Sequence, residues 1–203
     1  MLKEIYDQIE KSTTDHSKGF SLHYAFLYSL VLGLESKNVF EFGTGYSTEV
    51  ILRALEQTGG KLISCDKRRK TQPAISDYTR DSPNWSFYRG NTNLIFNDIE
   101  HQQYDLILHD GSHRGSEVLI DLNNIYPYLK HDGILIVHDT RHSVLGSKMM
   151  SAILKFIKNK DMEMCTLPYG SGLTFFRNNG NIENKVELTW EKNTNIGRRR
   201  RRG

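Results

Sequence analysis

Five of the eight histidines, at positions 109, 113, 131, 138 and 142, fall within 34 residues, with Asp110 and Asp139 among them. Imidazoles beside carboxylates can exchange protons near neutral pH, or can simply be polar residues that close strands. A second group lies earlier. Glu41-Phe42-Gly43-Thr44-Gly45 is a glycine turn, and Asp66 follows Gly43 by 23 residues. Glycines let a backbone turn tightly and approach a ligand, and a carboxylate at that interval can accept hydrogen bonds from both hydroxyls of a ribose. A dinucleotide would fit this much. Yet Thr48 stands where a third glycine is needed, and Glu41 would repel a pyrophosphate.

These residues close short apolar runs. Val39-Phe40-Glu41-Phe42, Leu62 to Cys65, Trp85 to Tyr88, Tyr104 to Leu108 and Ile134 to Val137 read as five strands. Helical periodicity separates them. Leu22, Phe26, Leu30 and Leu34 mark a helix over 20–34, Thr48 to Gln57 a second that Gly59-Gly60 ends, and 68–80 is weakly helical. Val118, Leu122, Ile125 and Leu129 mark another helix, bent or ended by Pro127, and Leu145, Met149, Ile153 and Phe156 one more. Residues 1–11 read as a short helix, and two strands near 162–167 and 172–177 flank Pro168-Tyr169-Gly170. Strands alternating with helices imply an α/β fold with a mostly parallel, doubly wound sheet. Ligands bind such sheets at the carboxyl ends of the strands, where strand order reverses. Glu41, Asp66, Asp110, His138 and Asp139 are therefore the residues to follow.

Composition narrows the classes. The 203 residues, 37% apolar and 25% charged, suit one domain with a packed core. The net charge of +3 is uneven: residues 178–203 hold seven Lys/Arg against three Asp/Glu, leaving 20 against 21 in residues 1–177. A near-neutral body argues against a domain built as a nucleic-acid clamp. No apolar run approaches the ~20 residues of a membrane span, and the first residues are too charged for a signal peptide. Cys65 and Cys165 are isolated, which predicts a reducing, cytoplasmic setting. Residues 1–177 read as the domain, its first 34 as N-terminal helices, and 178–203, ending in five arginines, as a flexible basic tail.

Taken in order, the motifs resemble class I S-adenosylmethionine (SAM)-dependent methyltransferases across roughly residues 20–177. Val39 to Gly45 resembles their motif I, Asp66 the acidic end of their second strand, Tyr104 to Asp110 their fourth-strand motif, and Leu129 to Val137 their approach to strand five. The resemblance implies a Rossmann-like seven-stranded sheet whose last strand is antiparallel. It implies SAM as cofactor, with Glu41, Gly43, Thr44, Gly45, Asp66 and Asp110 around it and Asn91 reading the adenine.

Asp110-Gly111-Ser112-His113 narrows the resemblance to metal-dependent O-methyltransferases, of the catechol and antibiotic-sugar kinds, with cephalosporin-hydroxylase-like relatives. By that resemblance Asp110 and Asp139 hold magnesium, or manganese, and His113 is the base for a small-molecule hydroxyl. The pair His138-Asp139 departs from the family pattern. Histidine suits manganese, iron or zinc better than magnesium, so His138 either joins the ligands, stands behind them, or marks a site without metal. Tyr24 or Tyr28 of the 20–34 helix either lines the site or packs in the core. Two rival functions fit the same fold: a nucleic-acid methyltransferase anchored on RNA or another acidic surface by the arginine tail, and a non-catalytic partner protein. A homodimer is the expected assembly, without a membrane span.

Overall fold

The computed structural model describes residues 20–180, apart from 100–101, 143–145 and 169. The expected helix at 1–11 and nearly all of the basic tail lie outside the described residues. Seven strands form one sheet: β1 (Asn38–Phe42), β2 (Lys61–Asp66), β3 (Trp85–Arg89), β4 (Tyr104–His109), β5 (Leu129–His138), β6 (Met162–Leu167) and β7 (Leu173–Asn178). Their order is β3-β2-β1-β4-β5-β7-β6. Strands β1 to β5 pair parallel with one another, whereas β7 runs antiparallel to both β5 and β6. This is the expected Rossmann-like topology. The order reverses between β1 and β4, which places Gly43 beside Asp110.

Alternation along the strands builds two cores. Phe40, Phe42, Ile107, Leu135 and Val137 pack against α5 (Gly115–Ile125) and α6 (Gly146–Ile157). Val39, Leu62, Leu106, Leu108 and Ile136 pack against α1 (Tyr24–Gly33) and α2 (Tyr46–Thr58). Glu41 shares the second face with Val39, so its carboxyl points towards α2. Two short helices, α3 (Asp77–Asp81) and α4 (Thr92–Ile95), flank β3.

The fold departs from the sequence expectations in three places. The 20–34 helix is α1 preceded by a 3₁₀ turn at Ser21–His23, and it turns a different face inward. Leu22 and Phe26 are 45% and 37% exposed, while Tyr24, Leu27, Tyr28 and Val31 are buried. A segment apolar on nearly every side has no dominant stripe, so docking on α2 decides the face. Residues 68–80 are helical only from Asp77, where the Ser76 hydroxyl accepts from Thr79 N–H. Strand β5 begins at Leu129, because β4 pairs Tyr104 with Leu129 and then, after a register break, Leu106 with Ile134. Among the described residues no helix is long and apolar enough to cross a membrane.

Candidate functional site

The carboxyl end of β1 is held from below. Glu41 is fully buried and accepts from Ser47 Oγ (2.7 Å), Thr48 Oγ1 (2.8 Å) and Ser64 Oγ (2.8 Å). Burial raises its pKa to about 7 against the hydroxyls that favour the anion. Its role is to anchor the first turn of α2 to the sheet, beneath the glycine turn rather than at its surface. Gly43 has φ +83°, and a Cβ there would lie 2.3 Å from the carbonyl oxygen of Asp110. Gly45 has extended backbone, and a Cβ there would meet nothing within 4 Å. One glycine brings two strand ends together; the other leaves open space above the turn.

Asp66 faces this turn. Its Oδ2 accepts from Thr44 N–H (2.8 Å) and Thr44 Oγ1 (3.0 Å). Arg68 reaches back to it, with Nη2 2.8 Å from Oδ2, and also donates to the Thr44 carbonyl oxygen at 2.8 Å. Gln72 Nε2 donates to Thr44 Oγ1 at 2.7 Å. Burial alone would raise the Asp66 pKa, but Arg68 and the Thr44 N–H hold it below its ordinary value. Arg68 and Gln72 thus form a strap over Asp66 and Thr44, which sequence reading missed. Asn91 caps α4, its side chain accepting from Asn93 N–H, and is exposed one residue past Gly90, whose N–H donates to the Asp66 carbonyl oxygen.

At the ends of β4 and β5, Asp110, His113 and Asp139 offer donor atoms within 4.8 Å of one another. His113 Nε2 pairs with Asp139 Oδ2. That bond is the main reason the His113 pKa is raised. Burial would raise Asp139, yet His113, His138 and Ser171 together hold it at about 2. Asp139 takes a left-handed φ of +59°, a conformation Asp tolerates better than most residues. Two carboxylates and an imidazole fit a divalent cation by chemistry and proximity.

His138 stands beside that trio, its Nδ1 3.5 Å from Asp139 Oδ1. It is buried, with Nδ1 2.9 Å from Asp110 Oδ1 and Nε2 3.0 Å from Ser171 Oγ. Both ring nitrogens are occupied, so His138 orients Asp110 from behind. Phe20 packs on its ring at 4.5 Å, and His23 stands 5.6 Å away. Burial first, then His138, lowers the His23 pKa to about 4. Tyr24 is buried with its pKa raised, by burial and then by the charge of Asp110, so this core residue also backs the site. The aromatic and histidine backing from Phe20 and His23 has no signal in sequence spacing. It arises where the 3₁₀ turn that precedes α1 meets the end of β5.

Residues 40–140 match the family model described as a methyltransferase domain. No curated protein matches the chain by sequence. Among solved structures, the fold is similar to the S-adenosylhomocysteine-bound methyltransferase PaMTH1 of Podospora anserina, at TM-score 0.69 and 14% identity, covering 85% of this chain and 86% of that one. It is similar to an O-methyltransferase from Bacillus cereus in complex with S-adenosylhomocysteine, at TM-score 0.61 and 18% identity, covering 87% and 89%. The methyltransferase MycE of mycinamycin biosynthesis, in complex with magnesium, S-adenosylhomocysteine and mycinamycin VI, is matched at TM-score 0.57 and 14% identity, covering 88% of this chain and 56% of that one.

Proposed function

We propose that this chain, which is a class I SAM-dependent methyltransferase, methylates a hydroxyl oxygen of a small molecule with the help of a divalent cation. The observation that carries the reading is the convergence of Asp110, His113 and Asp139 next to the Gly43 turn. Bound SAM supplies a methyl group on a sulfonium, which leaves as a neutral thioether without an acid. Asp66, Thr44 and Asn91 would hold its nucleoside, and the open space at Gly45 would admit its methionine part. Asp110 and Asp139 would hold the cation, whose charge favours the ionised form of a hydroxyl nearby.

The residues of the chain do the rest. His113 takes the hydroxyl proton at Nδ1, the ring nitrogen not paired with Asp139, and Asp139, bonded to Nε2, stabilises the imidazolium that results. The acceptor oxygen forms its bond to carbon as the carbon–sulfur bond breaks, the electron pair staying on sulfur. His138 and Ser171 keep Asp110 in one orientation, so alignment rather than acid catalysis supplies much of the rate.

The test is SAM turnover on a panel of catechols, diols and sugars, with and without EDTA, in wild type and His113→Ala. Expected are loss of activity on chelation, recovery with magnesium or manganese, and at least a hundredfold loss in the variant. Rates unchanged by either perturbation sink the mechanism.

A further inference from the structure

A cavity of about 420 Å³ opens immediately beyond Asp139. Thr140, Arg141, His142, Ser147, Met150 and Thr166 line it, and the lining includes no acid. Its floor is polar and connected. Thr174 Oγ1 donates to Thr140 Oγ1 at 2.8 Å and lies 2.9 Å from Thr166 Oγ1, so hydroxyls of β6, β7 and the β5 end form one chain. Arg141 is fixed at its root. Its N–H donates to the Ser171 carbonyl oxygen at 2.7 Å, and its Cβ presses so closely on Gly172 that a Cβ there would lie 2.7 Å away. No carboxylate among the described residues pairs with its guanidinium.

An arginine with an anchored stem, a free charged end and hydroxyls around it is a receptor for an oxyanion. Arg141 follows Asp139 by two residues, at most about 7 Å between Cα atoms. One small molecule can therefore reach both. We infer that the acceptor carries a carboxylate or phosphate besides its hydroxyl, and that Arg141 binds this group in the cavity. The inference rests on the reading of Asp110, His113 and Asp139 as the reacting centre. Within that reading it selects anionic acceptors over neutral catechols and sugars.

Calorimetric titration of the full chain, saturated with S-adenosylhomocysteine and magnesium at fixed 0.15 M salt, tests it with two matched pairs. These are 3,4-dihydroxybenzoate against catechol, and glycerol 3-phosphate against glycerol. At least one anion is expected to bind tenfold or more tightly than its neutral partner, and the pair that shows the difference identifies carboxylate or phosphate. Arg141→Gln is expected to erase the difference, and Arg141→Lys to keep part of it. Equal binding of anion and neutral partner, no binding of either anion at millimolar concentration, or a preference that survives Arg141→Gln overturns the inference. An unfolded Arg141→Gln variant, detected by circular dichroism, moves the comparison to Arg141→Lys, where an undiminished preference has the same force. Because the titration reads binding, Arg141-dependent binding without methyl transfer would sink the proposed reaction and leave the anion pocket standing. Methyl transfer to catechol without anion preference would do the reverse.

Discussion

Gly43 and Gly45 stand two residues apart in one turn, and the structure gives them separable duties. Alanine at 43 must adopt φ near +83°, which costs about 1 kcal/mol. Its Cβ would also sit 2.3 Å from the backbone oxygen of Asp110, where ordinary contact begins at 3.4 Å. The obstacle is backbone, so the end of β4 must retreat by about 1 Å, a strain of about 1–3 kcal/mol. Gly43→Ala should therefore lose about 2–4 kcal/mol of stability and displace Asp110. Gly45→Ala meets neither obstacle, since its backbone is extended and its Cβ direction is open. It should stay within about 1 kcal/mol of wild type, the cost of a poorer helix cap. Its added methyl fills the space assigned to the cofactor, so affinity for S-adenosylhomocysteine should fall at least tenfold. Urea unfolding monitored by circular dichroism reads stability, and calorimetric titration reads affinity. The reasoning fails if Gly43→Ala is as stable as wild type, or if Gly45→Ala binds the cofactor normally.

Two further outcomes follow from buried and strapped carboxylates. The Glu41 pKa, raised by burial from 4.5 to about 7, means that the folded chain holds a proton the unfolded chain has released. Its contribution to stability is complete below pH 4.5 and lost as pH rises through 7, about 3 kcal/mol in all. Glu41→Gln should flatten the stability profile between pH 5 and 8 in urea titrations, and a profile that keeps its slope refutes the assignment. Arg68 must release the Asp66 side chain before a ribose can use it. Because the Arg68 side chain is 53% exposed, the pair is worth at most about 1 kcal/mol. Arg68→Ala should then tighten S-adenosylhomocysteine binding by up to about fivefold, and weaker binding would show that the strap holds the ligand.

The fold was legible because apolar runs alternate with helical periodicity, and Glu41, Asp66, Asp110 and Asp139 all fall near or just beyond the ends of β1, β2, β4 and β5. What each does was less legible. Glu41 reads as a cofactor contact, and period-two alternation puts it on the Val39 face, where it also binds hydroxyls from α2 and β2. Ser47, Thr48 and Ser64 are ordinary residues in the sequence, and only the fold collects them around one carboxyl. His138 sits next to Asp139 in the chain and within 3.5 Å of its carboxylate, yet the two have different main partners. One joins the trio and the other faces Ser171. The face of α1 could not be read, because a helix apolar on every side leaves its orientation to its neighbours. Arg68 lies two residues past Asp66 with nothing in its spacing to show that it folds back. Arg141 follows the site directly, but that no carboxylate among the described residues meets its guanidinium is a property of the surrounding surface rather than of the motif.

The turn between β6 and β7 carries no reacting group, yet Ser171 bonds the imidazole that orients Asp110, and the same residue's carbonyl, with Gly172, fixes Arg141. Selection acting on which molecules the enzyme accepts has here a lever outside the chemistry. An insertion or a bulkier residue in this turn would reshape the pocket and reset the pose of Asp110 in one mutational step. New acceptors and altered rates would then arise together. A library confined to this turn would be a compact way to redirect the enzyme while leaving every strand end intact.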